Sequence, residues 1–215
     1  MQIVPGVYSL DCAKRSHVFF IEKESALIDT GIPGQAGAIL DELKALGFAP
    51  GDVKTILLTH HDVDHTGNVK KLQEATGATV FLGKEDIPYL MKEKSRPGIK
   101  RFIQKLLRAA PPKSCEVLGH EAEIGNILAC HAPGHTPGHH IFQYQDLLFT
   151  GDLFKVKEGG LTNMAPRMNA DTVKLNASIG LLRGLSFQWA CPSHGAPIKN
   201  NGSLQQFITE ANERI

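Results

Sequence analysis

The stretch Thr59-His60-His61-Asp62-Val63-Asp64-His65 places three histidines and two aspartates within six residues. It directly follows the apolar run Ile56-Leu57-Leu58 and directly precedes Thr66-Gly67. An apolar strand, a loop of acids and imidazoles, and a glycine opening a helix is how a parallel α/β sheet presents metal ligands at the carboxyl end of a strand. The competing reading is a surface loop rich in His and Asp that holds no metal. The rest of the chain has to decide between them.

The flanking pattern supports the sheet. His17–Ile21 is a nearly continuous apolar run, as expected of a strand buried on both faces. After the polar turn Glu22-Lys23-Glu24-Ser25 the run Ala26-Leu27-Ile28 ends at Asp29-Thr30-Gly31, which makes a hairpin. Gly34 to Gly47 reads as a helix, with Ile39, Leu40, Leu43 and Leu46 at helical spacing and Gly47 in the stop position. Val53–Leu58 is the strand that delivers the motif, Gly67–Thr76 a helix with Val69 and Leu72 on one face, and Ala78–Leu82 a further strand. This alternation predicts parallel pairing with right-handed crossovers.

Residues 84–113 break the rhythm. They are rich in Lys and Arg, and two helical pieces fit, about Lys84–Lys94 and Gly98–Ala110, the second with an apolar stripe of Phe102, Ile103, Leu106 and Leu107. Two readings stay open: a solvated amphipathic insertion over the sheet edge, or a wall of a pocket that favours anions. From Ser114 short strands follow as a meander, Cys115–Leu118, Glu121–Ile124 and Ile127–His131, with turns at Gly119-His120 and Gly125-Asn126. A hairpin ends at Gly151-Asp152. A helix starts at the cap Asp171 and turns Val173, Ile179 and Leu182 inward. The strand Phe187–Cys191 ends at Pro192-Ser193-His194-Gly195, and residues 203–213 form a last amphipathic helix.

Composition narrows the function classes. A length of 215 residues can bury a sizeable core in one domain or two fused halves. The formal net charge of +1 gives no electrostatic reason to expect a nucleic-acid or membrane-surface partner. The amino terminus lacks a basic region followed by a long apolar stretch, and no apolar run is long enough to span a bilayer. Cys12, Cys115, Cys130 and Cys191 form no Cys-x-x-Cys pair and are expected reduced and mostly buried. A cytoplasmic location and a small-molecule substrate are the corresponding expectations; oligomeric state is not encoded in any visible pattern.

Four further signals share one property with the opening motif: each places an acid or a histidine at the end of an expected strand, in a loop that carries glycine. They are Asp29 in Leu-Ile-Asp-Thr-Gly, His135 in Ala-Pro-Gly-His-Thr-Pro-Gly-His, Asp152 in Phe-Thr-Gly-Asp and His194 in Pro-Ser-His-Gly. Parallel strand ends converge on one edge of an α/β sheet. Together these loops offer enough His and carboxylate groups for two metal ions.

In its motifs and their order, over nearly the whole chain, the sequence resembles the metallo-β-lactamase superfamily, whose first motif is His-x-His-x-Asp-His after a strand. The matching positions are His60, Asp64 and His65, then His135, Asp152 and His194; Asp29 matches the family's supporting aspartate. The resemblance implies an α/β fold, an αββα sandwich of two mixed sheets flanked by helices, with the metal site at the sheet edge and residues 1–215 as one domain. It implies a hydrolase that uses two divalent ions and an activated hydroxide on an ester, thioester or lactone-like bond. His60, Asp62 and His135 would hold one ion, Asp64, His65 and His194 the other, with Asp152 bridging and Asp64 also orienting the nucleophile or moving a proton.

One position departs from the pattern. Asp62 stands where the family has the motif's second histidine, and His61 is shifted by one residue. A carboxylate hardens the site, so zinc is expected with iron or manganese as alternatives. His61 and His139 are expected behind the ligands or in structural roles, and Tyr8, Tyr89 and Tyr144 are candidates for substrate contact. Relatives of the glyoxalase II type carry a C-terminal helical extension and exported β-lactamases carry a signal peptide, so neither subclass is the expectation for this chain. Two other classes remain: a non-hydrolytic di-iron redox protein, and a non-catalytic metal-binding protein of the same fold.

Overall fold

A computed structural model describes residues 1–96, 100–102, 107 and 109–214. The chain divides into two compact units, Met1–Leu118 and the remainder from Gly119.

The first unit is built on a seven-stranded sheet in sequential order. Its strands are β1 (Gln2–Val4), β2 (Val7–Ser9), β3 (Phe19–Ile21), β4 (Ala26–Ile28), β5 (Thr55–Leu57), β6 (Thr79–Gly83) and β7 (Glu116–Leu118). The first four pair antiparallel and the last four parallel. A parallel pair needs a crossover that returns the chain to the same end of the sheet. α1 (Ala36–Ala45) supplies it between β4 and β5; α2 (Val63–Thr66) and α3 (Val69–Thr76) supply it between β5 and β6. Ile39 and Leu43 of α1 and Val69 and Leu72 of α3 pack with Leu27, Ile56 and Val80 of the strands in one core cluster. The expected helices over 34–47 and 67–76 are therefore present.

Two expectations are corrected here. The stretch 115–131 is not a single meander, because β7 pairs with β6 in the first sheet. Residues 84–113 are thereby the crossover that this parallel pair requires. Within them only α4 (Ile87–Leu90) is helical in the first piece. Lys92 takes a left-handed backbone, φ 63°, and the amides of Glu93 and Lys94 both return to the Pro88 carbonyl, so the helix closes after one turn. In the second piece residues 100–102 are helical; Ile103 and Leu106 of the expected stripe lie outside the described residues. Phe102 is 70% exposed, whereas Arg96 and Lys100 are buried.

The second unit holds a six-stranded sheet, order β15-β14-β11-β10-β9-β8, and a two-stranded one. The strands are β8 (Glu121–Ile124), β9 (Ile127–His131), β10 (His140–Tyr144), β11 (Leu147–Gly151), β12 (Phe154–Lys157), β13 (Gly160–Asn163), β14 (Trp189–Pro192) and β15 (Ile198–Lys199). β8 to β11 form the antiparallel meander, β14 runs parallel to β11, and β12 pairs with β13. α5 (Thr172–Leu181) and α6 (Gly202–Asn212) complete the unit. Asp171 caps α5, its carboxylate accepting from the Lys174 amide at 3.0 Å. Leu175, Ile179 and Leu182 form the buried stripe with Leu204 and Ile208 of α6. Val173, expected inward, is 55% exposed: two residues before Leu175 on a helix is the opposite face. No helix among the described residues is long and apolar enough to cross a membrane.

Candidate metal centre

In the first unit the chain leaves β5 through Leu58 and Thr59 into His60. The Asp62 carbonyl accepts the amides of His65 and Thr66, both at 3.0 Å, and so starts α2. Asp62 caps that helix in extended backbone without a side-chain capping bond, which leaves its carboxylate for other contacts. Oδ2 lies 3.5 Å from His60 Nε2 and 2.5 Å from Lys100 Nζ; Oδ1 lies 3.7 Å from His61 Nε2. Asp64 Oδ2 lies 3.7 Å from His65 Nε2, and the rings of His60 and His65 stand 3.9 Å apart. The structure thus brings His60, Asp62, Asp64 and His65 together on one short loop and the helical turn α2 that follows it.

That loop is held from behind at nearly every residue. Asp29, at the carboxyl end of β4, has the left-handed φ of 61°. Its carboxylate accepts from the Thr59 amide at 2.8 Å, from the Thr59 hydroxyl, and from His65 Nδ1 at 2.8 Å. The Thr59 hydroxyl has one proton, which it gives to Asp29, so His60 Nδ1 at 3.0 Å donates to it. Both rings therefore carry their proton on Nδ1 and present Nε2 as the basic nitrogen. The carbonyl of His65 accepts from the amide and hydroxyl of Thr30, and that of Asp64 from the Ser16 hydroxyl. Gly67 passes so close to Gly31–Pro33 that a Cβ would stand 2.3 Å from the Pro33 nitrogen.

Several of these supports carried no sequence signal. Asn68 is buried, accepts the amides of Gly34, Gln35 and Ala36 at the start of α1, and donates to the carbonyls of Thr30 and Ile32. One side chain thereby joins the motif to the first crossover helix and satisfies amides that a helix start leaves open. Asp86, buried in the β6–β7 crossover, accepts the His61 amide at 3.0 Å and lies 2.9 Å from His61 Nδ1, while Tyr89 stacks on that ring at 4.6 Å. His61 is thus clamped by the crossover. Arg96 is also buried; burial draws its pKa down, and Asp62, Asp64 and Asp86 oppose that.

In the second unit the candidates come from separate strand ends. His135 sits in the loop after β9, Asp152 directly after β11, and His194 just beyond β14. Asp152 Oδ2 lies 3.4 Å from His135 Nε2 and Oδ1 3.3 Å from His194 Nε2. His135 Nδ1 is 3.0 Å from the Asn169 side-chain oxygen, so this ring too is protonated at Nδ1 and faces Asp152 with its basic nitrogen. Gly134, φ 139°, lets the loop touch α5, where a Cβ would meet the Leu175 amide nitrogen at 2.2 Å. The His135 carbonyl accepts the Ala170 amide, and the Ser193 amide bonds the Gly151 carbonyl. His139 accepts the Asp152 amide at 3.1 Å. His140 bonds the carbonyls of Gly138 and Gly119, and His131 that of Pro137.

The donor set fits a divalent cation. The imidazole-to-carboxylate distances of 3.3–3.7 Å are longer than the roughly 2.7–3.2 Å usual for a hydrogen bond. Two donors about 2.0–2.2 Å from one tetrahedral ion stand roughly 3.3–3.6 Å apart. A proton held on Nδ1 by a carboxylate, hydroxyl or amide oxygen is also how metal-binding histidines are oriented.

Known proteins agree with this chemistry. The family model described as the metallo-beta-lactamase superfamily matches residues 13–194. The probable metallo-hydrolase YflN of Bacillus subtilis (strain 168) is 27% identical, over 98% of this chain and 91% of that protein. A hydroxyacylglutathione hydrolase of Albidiferax ferrireducens is 30% identical, over 77% of this chain and 57% of its own length. Among solved structures, a B3 metallo-β-lactamase with an active-site glutamic acid has the same fold, with a TM-score of 0.74 at 24% identity, covering 99% of this chain and 86% of that one.

Proposed function

Because the chain belongs to the metallo-β-lactamase superfamily and is a metal-dependent hydrolase, we propose that it acts as one domain holding two divalent ions and cleaves an ester, thioester or lactone-like bond of a small molecule. The observation that supports this most is the shared posture of His60, His65 and His135. Each ring is held at Nδ1 from behind and turns Nε2 toward an aspartate carboxylate. The likeness to a relative named for hydrolysing an acylglutathione supports including thioesters.

On this reading the residues that would hold the ions are His60, Asp62, Asp64 and His65 in the first unit and His135, Asp152 and His194 in the second. Such ions supply charge that lowers the pKa of water and polarises a substrate carbonyl. The protein's own part is orientation and proton handling. Asp29 and Asn169 fix the tautomers of His65 and His135, so that their basic nitrogens face forward. Asp64 is the most open of the three candidate aspartates, its side chain 30% exposed against 10% for Asp62 and 4% for Asp152. That exposure suits it to accept the proton of the attacking water and return it to the leaving group. Asp152, with both oxygens directed at histidines, serves as the fixed anion. The donors are nitrogen and oxygen, which accommodates zinc, and the carboxylate at position 62 extends the range to iron or manganese.

The test is a substrate panel on chelator-treated protein reloaded separately with Zn(II), Mn(II) and Fe(II). Hydrolysis of at least one p-nitrophenyl ester, acylthioester or lactone is expected, lost with the chelator and regained with metal. Protein that takes up none of these ions and turns over no member of the panel would refute the proposal.

A further inference from the structure

We propose that Lys100 is a built-in cation of the Asp62 side of the site, which an incoming metal ion has to displace, so that the chain binds its two ions with unequal affinity. This rests on the reading that His60 and Asp62 are metal ligands.

The atoms involved make the competition direct. Lys100 Nζ contacts Asp62 Oδ2 at 2.5 Å. The same oxygen is the one that faces His60 Nε2, at 3.5 Å. His60 Nε2 is the basic nitrogen of its ring, because Nδ1 gives its proton to Thr59. An ion taken up between His60 and Asp62 would therefore use the oxygen that Lys100 holds. An ammonium group has three donors and no acceptor, so it cannot join as a ligand and repels a divalent cation at that range.

The pair is also shielded. The side chains of Lys100 and Asp62 are 9% and 10% exposed. Charges out of water attract more strongly and are screened less by salt than a surface pair. Separating them leaves the ammonium to find another partner or reach water, a cost charged against metal binding. Arg96, buried four residues earlier in the same crossover, adds a second positive group near Asp62, Asp64 and Asp86.

The substitution at position 62 and the lysine explain one another. A neutral imidazole in that place would offer an ammonium no ion pair, whereas a carboxylate attracts one. In the second unit the carboxylate of Asp152 is instead faced by His194 and by His135, whose ring presents its basic nitrogen and cooperates with a cation. The half of the site built on Asp62 is thus the half whose occupancy the crossover can control.

Metal stoichiometry tests this without reference to activity. The chelator-treated full chain is titrated with Zn(II) by calorimetry, and bound metal is counted by elemental analysis after desalting. The wild-type protein is expected to take one tight equivalent and a second that is weaker. Lys100→Met is expected to tighten the second equivalent roughly 10–100-fold, the range over which side chains contacting a ligand shift metal affinity, and to leave the first unchanged. Asp62→His, which removes the ion pair from the other side, is expected to narrow the same gap, and it carries the test if circular dichroism shows Lys100→Met to be unfolded. Two equal equivalents in the wild type, or a gap that neither variant changes, would overturn the role of Lys100 while leaving the metal reading intact. No metal bound by any of the three proteins would overturn the metal reading itself.

Discussion

In the first unit His60, Asp62, Asp64 and His65 come from one contiguous stretch, a loop and the turn α2, while in the second His135, Asp152 and His194 come from three strand ends far apart in sequence. The contiguous set does not hold itself. Consecutive residues point in different directions, and aiming them at one place takes anchors from outside: Ser16, Asp29, Thr30, Asn68 and Asp86. The dispersed set needs fewer, because strand pairing already sets the loops side by side. β11 runs parallel to β14, and the Ser193 amide bonds the Gly151 carbonyl. A compact motif is thus easy to see and costly to build, and a scattered one the reverse. The backing of the histidines differs as well: an ionised group supports His65, a neutral amide His135.

The largest effect should come from Asp152, the residue whose two oxygens face two histidines. Asp152→Ala is expected to abolish turnover of whichever substrate the panel identifies and to reduce bound metal. A variant with wild-type rates would remove the second unit from the chemistry. Next in size is the contrast between the two supports. Asp29→Asn should weaken metal binding roughly 10–100-fold. Asn169→Ala should fall near the lower end of that range, because charge-assisted hydrogen bonds are about twice as strong as neutral ones. Chelator competition at fixed pH measures both, and equal losses would show that the ionic and the neutral support act alike.

The smallest effect concerns the thiols. Burial pushes Cys191 up to about 12, and burial together with Glu42 does the same for Cys12. Both groups stay protonated in the fold where an unfolded chain, at the ordinary value of 9.0, has begun to ionise. Their contribution to stability is complete below that value and declines as pH rises from about 9 toward 12. The unfolding midpoint should therefore drop modestly between pH 8 and pH 10, and by less in Cys191→Ala. An unchanged pH dependence in that variant would place the effect elsewhere. Only Cys191 is buried; Cys12, Cys115 and Cys130 are half-buried, fewer than expected, and Cys115 is likewise raised to about 12 by burial.

Much of the frame was legible because it is written in local periodicity. Ile39 and Leu43 in α1, Val69 and Leu72 in α3, and the apolar runs ending at Ile28 and Leu57 announce elements that their own neighbours suffice to specify. Errors fell where a partner distant in sequence decides. β7 is three residues long and reads like the next strand of a meander, but it pairs parallel with β6, a strand more than thirty residues earlier. Val173 looked like part of an inward stripe until the phase set by Leu175, Ile179 and Leu182 put it on the far side. The basic segment looked solvated because Lys and Arg are rarely buried; Lys100 is buried because Asp62 compensates its charge.

By itself the sequence determined the alternation of strands and helices up to β6, the apolar faces of α1 and α3, and the positions at strand ends where His and Asp accumulate. These follow from side-chain period and turn chemistry, which act over a few residues. Only the tertiary structure decided what stands behind those groups. Asn68 at the start of α1, Asp86 against His61, Asn169 behind His135 and Lys100 on Asp62 are polar residues whose partners lie on other elements. A buried polar group is specified by the partner that satisfies it, and folding alone brings that partner within reach.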